Sequence, residues 1–168
     1  MKNLAFLNPL LVLFCFINPF IFASEELEVE TIFVNYIECL DNKNFDKIID
    51  YFYFDRNGWD RGPVFGSGAT GAFEFVNSDQ LKQYFIRWAD TEMANYDSTK
   101  VEKIKINLLF YGKENRLYNI DAIISRRNYG NTLQNKKRTL YYFQSDKIPN
   151  ESSSWTDWKI YMISNISL

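Results

Sequence analysis

Asp121 stands among apolar neighbours, Ile120, Ala122 and Ile123, a few residues ahead of the pair Arg126-Arg127. A buried carboxylate in such a setting needs a cation or several hydrogen-bond donors. Lys105 and Arg138 are the cations that neighbouring strands would bring to it. A structural salt bridge is therefore the first reading of Asp121, and a base or ligand anchor inside a pocket is the second. Arg126 carries the complementary chemistry: its planar guanidinium can grip a ligand carboxylate through two parallel hydrogen bonds, or close a salt bridge at a sheet edge. Trp59, Phe85, Trp88 and Tyr142 could wall an aromatic pocket for a flat or apolar ligand, although aromatic residues at such spacings more often fill a core.

Other chemistries are excluded by what the chain lacks. Its 168 residues contain no histidine, which removes the Ser-His-Asp triad, imidazole zinc sites and histidine acid–base catalysis. No set of Asp, Glu and Cys has metal-ligand spacing, so neither a metal nor another cofactor is expected. With 19 basic and 21 acidic side chains, the net charge of -2 exerts no long-range pull on polyanions, and nucleic acid is not an expected partner. The glycine-rich stretch 57–72 lacks the lysine of a phosphate-binding loop and opens no helix directly, so it reads as a loop or lid.

These side chains must be positioned by a fold, and the chain falls into two parts. Residues 1–23 combine Lys2, a nearly unbroken apolar run and a small residue, Ala23, before the acidic Ser24-Glu25-Glu26. This is the layout of a secretory signal, with cleavage after Ala23 and a periplasmic or secreted destination. The rival is an uncleaved membrane anchor, the one way in which this chain would meet a membrane; Asn8-Pro9 and Asn18-Pro19 count against it. Residues 24–168 form a single mildly acidic domain. Cys15 would leave with the signal, and Cys39, beside Tyr36 and Leu40 on an apolar stripe, reads as a buried, inert thiol.

Within the domain, Ile32, Phe33, Tyr36, Ile37 and Leu40 recur at helical intervals and predict an amphipathic helix over 26–40. After the polar turn 41–44, Phe45, Ile48, Ile49 and Phe52 predict a short second helix. Asn77 or Ser78 caps a third, carrying Leu81, Tyr84, Phe85 and Trp88 and ending near Asn95. From there on, 101–111, 117–127, 137–144 and 158–166 read as four long antiparallel strands. On the second of these, Asp121, Ile123, Ser125 and Arg127 share one face, and Ile120, Ala122, Ile124 and Arg126 the other. Helices first and consecutive strands afterwards mean an α+β layer fold.

The string from Tyr36 to Phe52, YIECLDNKNFDKIIDYF, resembles the opening of the nuclear transport factor 2-like, or SnoaL-like, superfamily, and Trp158-Lys159-Ile160 resembles its final-strand tryptophan motif. The resemblance spans nearly all of residues 26–166. It implies a cone: a strongly curved antiparallel sheet wrapped around three N-terminal helices, with a pocket at the open end. In the ketosteroid isomerase branch, a tyrosine of the first helix donates a hydrogen bond to the developing oxyanion and an aspartate moves the proton. Tyr36 matches that tyrosine, and Asp60 falls in the aspartate's place. Asp60, however, lies between Trp59 and Arg61 in a glycine-rich turn, where a carboxylate tends to bond its own backbone and stay charged. The third acid of that branch has no counterpart in 138–143, and dehydratase chemistry of the scytalone type needs histidine. Arg126, ahead of Asn128 and Gly130, sits in a family-like Arg-x-Asn turn.

The expectation is an exported domain that binds a small apolar or aromatic molecule, or a protein partner, with no complete acid–base constellation to indicate catalysis. Two alternatives stand beside it. One is a cofactor-independent isomerase or lyase, with Asp60 or Asp121 as base and Tyr36 as donor. The other is a structural homodimer paired through the open sheet face.

Overall fold

The computed structural model describes residues 9–54, 62–67, 71–91, 96–128, 134–148, 151 and 154–166, with side chains from residue 23 onward except at 67, 71, 96–98, 103, 127–128, 134–135 and 166. Trp59, Asp60, the tip of the glycine-rich stretch and the turn at 129–133 lie outside the described residues.

Helix α1, Pro9–Asp41, starts well before the amphipathic segment and stays helical through Asn18-Pro19. A proline inside a helix costs a backbone hydrogen bond and a local distortion, and here the helix continues past it. From residue 25 onward one stripe turns inward: Glu25, Val29, Phe33, Tyr36 and Leu40 are each no more than 6% exposed. Their three- and four-residue spacing stacks them on one face. Lys43, at φ 55°, takes the left-handed conformation that ends α1, and Asn44 N–H returns to the Cys39 carbonyl at 2.9 Å. The buried Cys39 thiol lies 3.8 Å from the Tyr51 hydroxyl.

Asn44 caps α2, Phe45–Ile49, by accepting from Lys47 N–H at 3.3 Å. Helix α3, Ser78–Thr91, opens on a reciprocal cap: Asn77 Oδ1 accepts from Gln80 N–H at 3.0 Å and Gln80 Oε1 from Val76 N–H at 3.1 Å. Its Leu81, Phe85 and Ala89 face the core.

Six strands form one curved, unclosed sheet: β1 Val64–Ser67, β2 Gly71–Glu74, β3 Tyr96–Tyr111, β4 Asn115–Asn128, β5 Gln134–Asp146 and β6 Lys159–Ile166, in the order β2-β1-β6-β5-β4-β3. The four long strands fall where alternation predicts them. The hairpin β1–β2 is a correction to the loop expected over 57–72, and β1 runs parallel to β6, so the sheet is mixed at that join. Glycine in this stretch records close packing. A Cβ on Gly62 would lie 1.7 Å from the Phe75 carbonyl oxygen, beside the bond from Phe75 N–H to the Pro63 carbonyl. Three register shifts in β3 and one between β5 and β6 bend the ribbon around the helices.

The concave face carries the core: Tyr118, Ile120, Ala122 and Ile124 of β4, Tyr141 and Phe143 of β5, and Ile160 and Ile163 of β6, packed on α1 and α3. Arg126 continues the β4 series at the open end.

Candidate ligand-binding cavity

Between α1, α3 and the concave sheet face lies a cavity of about 250 Å³. Helix α1 contributes Tyr36 and Leu40, and α3 contributes Tyr84, Phe85 and Trp88. The hairpin adds Phe65, Gly66 and Phe73, and the long strands add Arg126, Lys137, Thr139, Tyr141, Ile163 and Asn165. The rings brace one another edge to face: Tyr36 and Tyr141 at 5.9 Å between centroids, Tyr36 and Phe52 at 5.7 Å, Phe65 and Tyr84 at 5.3 Å. Such contacts hold an aromatic wall in shape beyond what area burial supplies.

The polar groups are few. Arg126 places its guanidinium carbon 5.0 Å from the Trp88 ring centroid, and its Nε is buried with no hydrogen-bond partner among the described residues. Burial, then the neighbouring Tyr141, pushes the Tyr36 phenol well above its ordinary value, while Arg126 pulls the other way. Burial likewise raises Tyr141 to about 12, again opposed by Arg126. Both phenols are therefore neutral hydrogen-bond donors at any physiological pH. Among the described residues, no carboxylate lines the cavity. Asp41, at the end of α1, accepts through Oδ2 from Thr99 N–H at 3.1 Å, Thr99 being the cross-strand partner of Arg126. Asp41 Oδ1, Thr99 Oγ1 and Arg126 Nε are all buried and unpaired.

Of the residues singled out in the sequence, Tyr36, Phe85, Trp88 and Arg126 converge on this cavity. Asp121 does not: it forms the structural salt bridge that was its first reading, with Arg138 as the cation, and its second reading, a pocket base or anchor, is corrected. Because Ile120 and Ala122 point into the core, Asp121 faces the opposite side of β4, where Arg138 holds it with two hydrogen bonds of 2.8 and 2.6 Å. Tyr142 is corrected for the same reason: it packs outward on Tyr161, 6.0 Å between centroids, and Tyr141 takes the cavity position. Trp59 and Asp60 lie outside the described residues. Tyr141, Phe65 and Lys137 escaped the sequence reading; the two-residue period of β5 would have found Tyr141 and Lys137 once its inward face was known.

A second polar cluster closes the far end of the sheet. Arg116 Nη1 is ion-paired with Glu25 Oε1 in the interior, and Nη2 donates to Ser145 Oγ at 3.2 Å. Tyr118 donates its hydroxyl to Glu25 Oε2 at 3.2 Å, and the Arg116 guanidinium lies 3.9 Å from the Trp155 ring centroid and 4.9 Å from that of Trp158.

No protein-family model and no curated protein sequence matches the chain. Solved structures do match it. A protein assigned as a scytalone dehydratase from Novosphingobium aromaticivorans superposes with a TM-score of 0.57 at 13% identity, covering 85% of this chain and 83% of that one. A nuclear transport factor 2-like protein with a cystatin-like fold from the same organism gives 0.55 at 8% identity, covering 89% and 86%. The chain has the nuclear transport factor 2-like, or SnoaL-like, fold. A ketosteroid isomerase-like protein from Erwinia carotovora atroseptica gives 0.52 at 13% identity, covering 86% and 98%. At such identities the likeness is one of fold, and a nuclear transport factor 2-like fold leaves function to be argued from the site.

Proposed function

We propose that this protein is an exported binding domain that takes a small, partly apolar molecule into the cavity between Tyr36 and Arg126. The observation that carries the proposal is a concave site walled by Tyr36, Phe65, Phe85, Trp88 and Tyr141 and furnished with a few polar groups at one end. That is the usual build of a small-molecule pocket, and about 250 Å³ sits at the small end of the range, suited to a molecule of one or two rings. Native mass spectrometry of the protein purified from its own host tests it, with a co-purifying small molecule as the expected result. A Thr139→Phe variant, whose ring would project inward beside Tyr141 and fill the cavity, should come out empty. Export rests on the composition of residues 1–23 and is checked by amino-terminal sequencing, which should begin at Ser24.

Two observations favour further readings. The neutral, cavity-facing Tyr36 phenol is suited to stabilising an enolate oxygen, as a cofactor-independent isomerase or lyase requires, with Asp60 left to supply the base. Loss of turnover in both Tyr36→Phe and Asp60→Asn would establish that reading. Separately, the edge strand β3 exposes Leu108, Leu109, Phe110 and Tyr111 by 40–50%, which suits pairing with a second copy. Light scattering on the mature chain would show a dimer that Phe110→Lys dissolves.

A further inference from the structure

The cavity walls would suit any flat apolar molecule, but among the described residues its charged groups are all of one sign. Arg126 and Lys137 reach it from adjacent strands, and no described acidic residue lines it. Arg126 makes no hydrogen bond or ion pair with any described residue, and its Nε is buried without a partner. Lys137 is exposed at the rim and has no ion-pair partner among the described residues. Asp41 lies near at hand but is engaged by the Thr99 backbone and does not reach the guanidinium.

The same strand shows what a structural arginine looks like in this protein. Arg116 points inward from β4 as Arg126 does, and it too stacks on tryptophan, but it is given a carboxylate, a hydroxyl and a phenol beside that carboxylate. The Nε of Arg116 is itself buried and unpaired, so what separates the two arginines is the anion: Arg126 has the tryptophan and, among the described residues, no carboxylate. A half-buried cation without a counter-charge is costly unless something arrives to neutralise it.

We infer that the cavity selects a small carboxylate with a flat apolar body, its carboxylate gripped by Arg126 and supported by Lys137, its body held between Trp88, Phe85 and Tyr36. This rests on the binding function proposed above and adds the charge and shape of the ligand. The planar fork of Arg126 fits a carboxylate through two parallel bonds. The un-ionised hydroxyls of Tyr36 and Tyr141 can donate to the same oxygens, because among the described residues neither hydroxyl has a partner of its own.

The test is isothermal titration of the mature protein with 2-naphthoate and with the isosteric, neutral 2-naphthamide. The acid should bind the wild type about tenfold or more tightly than the amide, as charge-assisted hydrogen bonds imply. Arg126→Gln should abolish that preference, Lys137→Gln should reduce it, and Arg138→Gln, on the outer face, should leave it intact. Lys137 is exposed, so its variant keeps the test open should Arg126→Gln fail to fold. Equal affinities for acid and amide in the wild type, or a preference that survives both cavity variants, would overturn the charge selection while leaving a small-molecule site in place. Failure of both probes to bind at all would overturn the binding function itself.

Discussion

Arg116 and Arg126 lie on one strand, point to one face and each stack on indole, yet they sit in opposite electrostatic surroundings. At the closed end the arginine is neutralised within the chain: Glu25 pairs with Arg116, Tyr118 donates to Glu25, and Ser145 accepts from Arg116 and donates to the Thr156 carbonyl at 2.6 Å. At the open end the arginine is prepared but unanswered. A side chain that holds the fold together brings its counter-ion with it; one that waits for a partner from outside does not.

The contrast can be broken most forcefully at the closed end. Glu25→Ala, or Arg116→Ala, strands one buried charge and should cost about 3–5 kcal/mol in urea denaturation. The double variant Glu25→Leu with Arg116→Met should recover much of that loss, since a buried pair replaced by apolar residues is often neutral or better. Recovery would show that the pair matters by its completeness. A smaller effect is expected on raising the pH. Tyr36 and Tyr141 have folded-state values above the ordinary tyrosine value near 10, Tyr141 at about 12. The unfolded chain therefore loses these protons first. Stability should be fully present below pH 10 and fall by about 1.4 kcal/mol per unit for each phenol as pH rises toward 12. Tyr141→Phe should flatten the slope, measured as denaturation midpoints between pH 9 and 11. Smaller still is the outer-face pair. Asp121→Asn should leave the midpoint close to wild type, with whatever loss there is shrinking in added salt, because Arg138 is largely in water. The smallest change belongs to Arg126→Ala without ligand, which should be neutral or slightly stabilising. A large loss there would mean that Arg126 is structural after all, and the contrast would collapse.

Much of this was legible in the residues. The stripe Ile32, Phe33, Tyr36, Ile37 and Leu40 announced a buried helical face, and the alternation in 101–111 and 117–127 announced strand. Alternation also divided Asp121 from Arg126 correctly, but it could not say which of the two faces was concave. That depends on which side of the sheet the helices cover, a tertiary fact, and it is why the salt bridge of Asp121 stood beside a pocket role and Tyr142 was placed on the cavity wall. The hairpin β1–β2 was hidden because glycine serves both loops and tight packing, and only the approach of Gly62 to the Phe75 carbonyl distinguishes the two. The role of Glu25 was invisible for another reason: its partners Arg116 and Tyr118 are some ninety residues away, and Glu25 reads locally as one acid in an acidic run.

That distant pairing gives one position along the first helix a chemical meaning. Glu25 lies one helical turn ahead of Val29, so any protease trimming this helix from its front meets an abrupt threshold there. Fragments that keep Glu25 retain the anion that neutralises Arg116; a fragment starting at Glu26 would leave a guanidinium wedged between two indoles with nothing to oppose it.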